Sequence, residues 1–466
     1  MPAVVDRAGA PRRAAAQGRA SGPPDLRLRL PADAAAYAAL TLIALGGLAV
    51  LALWWKDTIG VVGAAGWLTG AGRITGLLAG YIAPLLLLLM ARVPVLEHRI
   101  GSDRLARWHA HAGRYLVCLL TAHILTIIWG YSYTAQKSVT GETVYVVFHY
   151  PEMIKGSLAA LLMFATAFFS ARAARRRLSY ETWYYLHLAT YLAVALGFSH
   201  QIVNGADLDA GGERLLWSAY YVGAFLILGW YRLLVPWRND RRHQLRVAEV
   251  RAEGPGVVSV ILTGRNLDEL RAEPGQFFRL QFQARGLRWT ANPYSLSAAP
   301  HPQYLRFTVK ELGGHSAAVA QLRPGTKVRA EGPYGAFTAG RVRSRKVLLI
   351  AGGVGITPIR ALFETLPAGR GDLTLLYRAS RPQDVIFHQE LEAIAAARGA
   401  RVRYLVGPRS EVGDPLTART LARLVPHLNR HDVFICGPEP MAAAAVAALR
   451  ACGVKRTRIH HESFAL

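Results

Sequence analysis

The chain has 466 residues, enough for about three ordinary domains, but 52% are hydrophobic and only 18% charged, which argues against a purely soluble protein. Lys and Arg number 55 against 30 Asp and Glu, a net charge of +25, yet the arginines flank apolar runs and form no basic stripe, so nucleic acid is not an expected partner. Cys118, Cys436 and Cys452 contain no CxxC pair, which excludes a disulfide framework, a zinc ribbon and a cysteine-ligated iron–sulfur cluster.

Residues 1–34, rich in Ala, Arg, Pro and Gly, read as a disordered basic tail without the apolar core of a signal peptide. Six apolar runs follow, at 36–55, 74–91, 113–133, 156–171, 182–200 and 215–231, each close to the length that crosses a bilayer. They define a six-helix transmembrane domain over 35–236. Basic residues concentrate in the tail, around Arg92 to Arg107, around Arg172 to Arg177 and around Arg232 to Arg242. These segments fall on one side, which places both termini in the cytoplasm of a multi-pass protein of the cell membrane.

Ionisable side chains within a span are costly and mark function by default. His109 and His123 stand 14 residues apart on the third span, and His187 and His200 stand 13 apart on the fifth. These spans run parallel, so His109 can meet His187 and His123 can meet His200, about 21 Å apart along the axis. That arrangement suits two stacked bis-histidine b-type haems as the metal sites. Rotation is less favourable: 13 steps end about 140° from the starting face, so overwinding or an irregular end near Gly197 is expected on the fifth helix. His111 lies on a different face from His123, and His149 reads as a solvated loop residue.

Beyond Pro236 short alternating runs at 245–250, 257–262, 277–282, 304–309 and 327–330 predict a small antiparallel β-barrel over 243–340. From Lys346 strands and helices alternate, predicting a parallel α/β domain over 345–466. Between an apolar strand and a helix lies AGGVGITP, in which Gly352, Gly353 and Gly355 let a pyrophosphate approach while Thr357 caps and Pro358 starts the helix. A second turn, Cys436-Gly437-Pro438, falls at the carboxyl edge of the same sheet, where such folds bind ligands. After the second strand of that sheet, Arg378, Ser380 and Arg381 can bind a 2′-phosphate, and no acidic residue stands directly there, which favours NADPH over NADH.

These motifs, in this order, resemble the ferredoxin reductase family of flavin- and pyridine-nucleotide-binding modules. From about Ala36 onward the whole chain resembles the ferric reductase and NADPH oxidase superfamily. The resemblance implies FAD held by Asn292-Pro293-Tyr294-Ser295, with Tyr294 against the isoalloxazine and Ser295 at its N5 edge. Asn292 stands where the family has a cation, so another arginine is expected to serve the pyrophosphate. The resemblance further implies a second flavin phosphate turn at Gly313, Gly314 and Ser316, nicotinamide beside Cys436, Gly437 and Pro438, and Phe464 covering the flavin. Tyr294, Ser295, Cys436 and Phe464 are the implied catalytic set. Arg73, at the outer start of the second span, matches a basic position that pairs with the outer haem.

The implied activity is transmembrane electron transfer from cytoplasmic NAD(P)H through FAD and two haems to an outer acceptor, a ferric chelate or dioxygen. No external metal-binding cluster or DxDxDG loop is present, and no protein partner is indicated. Two other readings compete: a membrane-anchored flavin reductase serving a cytoplasmic partner, and a nucleotide-sensing transporter.

Overall fold

A computed structural model describes residues 34–175, 177–178, 180–208, 211–408 and 415–463; the basic tail and Phe464 lie outside them. Among the described residues six helices are long and apolar enough to cross a membrane: Ala34–Lys56, Gly63–Met90, Ser102–Ala135, Met153–Ser170, Tyr180–Asn204 and a composite sixth over Gly211–His243. Their surfaces fit a lipid solvent, since Leu42, Leu161 and Leu216 are each more than 60% exposed, which water would penalise. Large polar-network residues point inward. Trp217 Nε1 and the Tyr221 hydroxyl both donate to Gln201 Oε1, at 2.9 and 3.1 Å, so the buried amide is satisfied.

The second helix begins at Gly63, eleven residues before the expected start, despite four glycines in 63–73, and Trp54 Nε1 of the first helix donates to the Gly70 carbonyl at 2.8 Å. Arg73 therefore stands within this helix, not at its start. An additional helix, Val139–His149, follows the third span, with Ser138 accepting from the Gly141 amide as its cap. The sixth helix passes through a π-helical segment, Trp230–Leu234, and runs on as Val235–His243 beyond Pro236.

The soluble half begins with two three-stranded antiparallel sheets. One is ordered β1 (Arg246–Gly254), β2 (Val257–Thr263), β5 (Tyr304–Lys310); the other is β4 (Asn292–Ser295), β3 (Phe277–Phe282), β6 (Val328–Tyr334). Bridges Arg246↔Lys327 and Leu296↔Phe307 link the sheets around a core of Phe278, Leu280, Phe282 and Phe307, all fully buried. A five-stranded parallel sheet follows, ordered β11 (Ile459–Ser463), β10 (His431–Gly437), β7 (Lys346–Gly352), β8 (Leu373–Ala379), β9 (Arg401–Val406). Its central strand is buried on both faces, with Leu349 in one cluster and Leu348 and Ile350 in the other, as helices on both sides require. Each such leucine contributes about 1.5–3 kcal/mol by leaving water.

The two halves meet where the second helix ends and the third begins. Gln276 Nε2 lies 3.1 Å from His98 Nε2, and Arg341 Nη2 donates to the Arg99 carbonyl at 3.3 Å. His109 consequently stands on the module side of the membrane half and His123 on the far side.

Candidate functional site

Both predicted histidine pairs form. The rings of His109 and His187 have centroids 5.9 Å apart, and those of His123 and His200 6.4 Å apart. One metal held by two nitrogens at about 2.0–2.1 Å each, with the ring radii added, requires roughly 6 Å. Both pairs fit. The outward nitrogens are engaged: His123 Nδ1 donates to the Gly72 carbonyl at 2.8 Å, His109 Nδ1 to the Leu86 carbonyl at 3.2 Å, and His187 Nδ1 lies 3.3 Å from Ser170 Oγ. His200 Nδ1 faces the Asn204 amide at 3.3 Å. A ring held through Nδ1 leaves Nε2 turned to the partner ring, where it could bind a metal.

Glycines make room for this. A Cβ at Gly76 would come within 2.6 Å of His123 Nδ1, and one at Gly156 within 3.0 Å of His200 Cγ. The expected irregularity near Gly197 is absent, because Tyr180–Asn204 is one continuous α-helix. Backbone distortion is unnecessary: the second helix packs along the third and the fourth along the fifth, so the histidine-bearing helices face each other across a gap that side-chain rotamers span. Arg73 is engaged by Asp207, a carboxylate 134 positions away on the 3₁₀ turn Ala206–Leu208, with Nε donating to Oδ2 at 2.9 Å and Nη2 to Oδ1.

In the soluble half the flavin motif occupies β4. Asn292 pairs with Leu280 and Tyr294 with Phe278 across the strands, which puts Asn292 and Tyr294 on one face. Burial pushes the Tyr294 phenol up, and the Asn292 side chain counters it in part. Asn292 Nδ2 lies 2.9 Å from His315 Nδ1, inside the Gly313 to Ser316 turn, so the two segments expected to serve the flavin phosphates meet at this contact. His315 was not among the sequence candidates; its place beside two glycines was the available signal. Ser316 Oγ accepts from the Leu312 and Gly313 amides at 2.8 and 3.1 Å and shapes the turn. Ser295 is buried beside Phe277, and Pro293 is exposed on β4.

The second cavity, about 370 Å³, is lined by Gly352, Gly353, Arg378, Ser380, Asp384 and Pro438 among others. Gly353 has φ +52, which favours glycine, and open space beside it. Gly355 serves packing: a Cβ would fall 2.3 Å from the Cys436 carbonyl oxygen, which keeps the Cys436-Gly437-Pro438 turn against the loop. Thr357 is no cap, because the helix Ile356–Thr365 starts from Gly355 and buries Thr357 in its first turn. Cys436 is fully buried in the apolar cluster, and burial pushes its thiol up.

The premise that no acidic residue stands beside the candidate 2′-phosphate arginines is overturned. The turn Pro382–Asp384 folds back, and Arg381 is paired with Asp384, Nη2 to Oδ1 at 2.9 Å and Nε to Oδ2 at 3.2 Å. Arg378 Nη1 donates to the Leu405 carbonyl at 3.0 Å. A further acidic group escaped the sequence reading. Glu462, opposite Cys436 on β11, has its carboxyl pushed up to about 8 by burial, with Asp103 of the membrane half adding to it.

Family models match both halves. Residues 75–198 match the family model "Ferric reductase like transmembrane component", a span holding His109, His123 and His187 and ending two residues before His200. Residues 349–447 match "Oxidoreductase NAD-binding domain". The chain is 28% identical over 243 residues, 49% of its length, to the glycine betaine monooxygenase reductase subunit of Pseudomonas aeruginosa. It is 33% identical over 231 residues, 47% of its length, to the ferredoxin reductase component of 3-ketosteroid-9-alpha-monooxygenase from Mycolicibacterium smegmatis. In both cases it spans 65% of the relative's length. Among solved structures, the flavohem-like FAD/NAD binding domain of nitric oxide dioxygenase from Vibrio cholerae aligns with 48% of this chain and 99% of its own, at 28% identity and a TM-score of 0.42.

Proposed function

We propose that this chain, a membrane oxidoreductase joining a ferric reductase-like transmembrane component to a ferredoxin reductase-type FAD/NAD module, carries electrons from cytoplasmic NAD(P)H through FAD and two b-type haems to an acceptor on the outer face. The single observation that carries this reading is the pair of facing histidine pairs at ligand spacing, 5.9 and 6.4 Å between centroids, on the module side and the far side. When bound, a flavin splits a hydride's two electrons into single ones, and a bis-histidine haem relays single electrons with no open position on iron.

The chain's residues divide the remaining work. Gly353 leaves the backbone of the glycine loop open to a dinucleotide, and Pro438 closes the cavity from β10. Tyr294, on one face of β4, would lie against the isoalloxazine and Ser295, on the other, would meet its edge, with Asn292 and His315 at the phosphate end. His109 with His187, and His123 with His200, would hold the two haems through their ring nitrogens. Arg73, held by Asp207, sets the charge beside the outer pair. Both termini lie in the cytoplasm, and the outer acceptor is a ferric chelate or dioxygen. The donor is NADPH or NADH, with the Arg381–Asp384 pair weighing against a strict preference for the 2′-phosphate.

Absorbance of the detergent-purified protein before and after anaerobic NADPH or NADH, with FAD added, tests the reading. Haem bands that become reduced support it; protein lacking haem refutes it. The names of the two relatives, reductase parts of monooxygenases, favour one alternative, a reductase serving a protein partner. That alternative requires electron delivery indifferent to His123→Ala.

A further inference from the structure

Three guanidiniums converge on the seam between the halves. Arg279 Nη1 on β3 and Arg232 Nη1 on the sixth helix approach the same Glu331 Oε2, at 3.6 and 3.8 Å. Arg92, just past the second helix in a left-handed backbone conformation (φ 62), lies with its guanidinium carbon 4.6 Å from the Tyr334 ring centroid. The side chains of Arg279 and Arg232 are only 12% and 19% exposed. Burial pushes the Arg92 guanidinium down; Tyr334 opposes this, Arg279 and Arg232 add to it, and Glu97 opposes it from behind. Glu97 is itself engaged by Ser102 Oγ. Glu331 Oε2 is buried and makes no hydrogen bond among the described residues. Two guanidiniums on Glu331, and a third on the Tyr334 ring with Glu97 near it, leave one more cation than carboxylates at this half-buried seam, an excess that a further anion would balance.

The surroundings indicate which anion. Arg92 follows Leu86, whose carbonyl holds His109, by six residues, about 9 Å of helical rise. Arg232 is close to Tyr184 and Tyr191, which stand three residues before and four after His187 and so share its helix face. Both membrane arginines thus lie on the module side of the bundle, the side of the inner histidine pair. Arg279 pairs with Pro293 on the face of the sheet opposite to Asn292 and Tyr294, and its Nη2 donates to the Ala291 carbonyl at 3.0 Å, so it stands between the membrane arginines and the edge of the flavin motif.

Resting on the haem reading above, we propose that Arg92, Arg232 and Arg279 receive the propionate carboxylates of the haem held by His109 and His187, so that the soluble module supplies part of the inner haem's binding site. Bidentate guanidinium–carboxylate contacts suit this cluster, and Glu331 is the internal carboxylate that a propionate displaces or shares.

Spectroelectrochemical titration of the full-length protein, with FAD affinity measured in parallel by flavin fluorescence, tests it. Arg232→Gln and Arg279→Gln remove positive charge that favours ferrous over ferric haem, so the midpoint potential of one haem is expected to fall while the other stays. Glu331→Gln should move the same haem the opposite way, and it reads the cluster from the soluble side if Arg232→Gln does not fold. A loss of FAD affinity of tenfold or more with both haem potentials unmoved assigns the cluster to flavin phosphate and overturns the proposal. Unmoved potentials together with unchanged FAD affinity overturn it too, whether or not the arginine variants lose binding to phosphatidylglycerol vesicles. Wild-type protein without haem would instead refute the proposed function itself.

Discussion

Asp207 grips Arg73 across 134 positions of sequence, with Nε donating to Oδ2 at 2.9 Å and Nη2 to the other carboxylate oxygen. The Asp207 side chain is 2% exposed and that of Arg73 21%, so neither charge is well solvated alone. Asp207→Asn should therefore cost of order 3 kcal/mol, because it strands the guanidinium in the bundle. Thermal unfolding in detergent checks this; the paired change Arg73→Met with Asp207→Leu should recover most of the loss.

Each histidine pair is expected to hold one haem independently. His123→Ala should reduce haem from two per chain to one, and His109→Ala should do the same at the other pair. Haem-to-protein ratio by pyridine haemochrome is the readout, and a variant retaining both haems would dissociate that pair from ligation.

Glu462 makes the soluble module sensitive to pH. Its carboxyl is pushed up to about 8 when folded, by burial first and Asp103 second, against about 4.5 when unfolded. Between these values the folded state binds more protons than the unfolded state, so stability falls as pH rises from about 4.5 to about 8. Glu462→Gln should flatten that part of the unfolding-midpoint profile. A profile of unchanged slope would remove Glu462 as its source.

The Arg381–Asp384 pair is expected to set the cofactor preference. Asp384→Asn frees Arg381 for a 2′-phosphate and should raise the NADPH-to-NADH ratio of kcat/KM about tenfold, or about 1.4 kcal/mol. Steady-state kinetics with both cofactors decide it.

Gly355 tolerates no side chain. A Cβ would meet the Cys436 carbonyl oxygen at 2.3 Å, an atom of strand backbone that cannot swing aside. Gly355→Ala should cost about 1–3 kcal/mol and weaken nucleotide binding, measured by calorimetry with NADH.

Much of the architecture is legible in the chain because it is set by local solvent preference. Runs such as 36–55 and 156–171 announce membrane helices through side chains that cannot return to water, and His109, His123, His187 and His200 stand out inside such runs because polar groups there are costly. The glycine loop before Ile356 is readable for a similar reason: an apolar strand, a turn and a helix in succession leave few alternatives.

Which groups meet was decided by tertiary placement. Nothing near Arg73 in sequence reveals Asp207, and nothing in Asn292 reveals His315, because each partner arrives on another element. The fifth helix seemed to misdirect one histidine only on the assumption that ligands must project along one face of an ideal cylinder; the gap between helices and the rotamers that cross it removed the need. The seam of Arg92, Arg232 and Arg279 has the same origin. Hydropathy is a property of each segment and survives in the sequence, whereas charge pairing depends on the distance between backbones that only folding brings together.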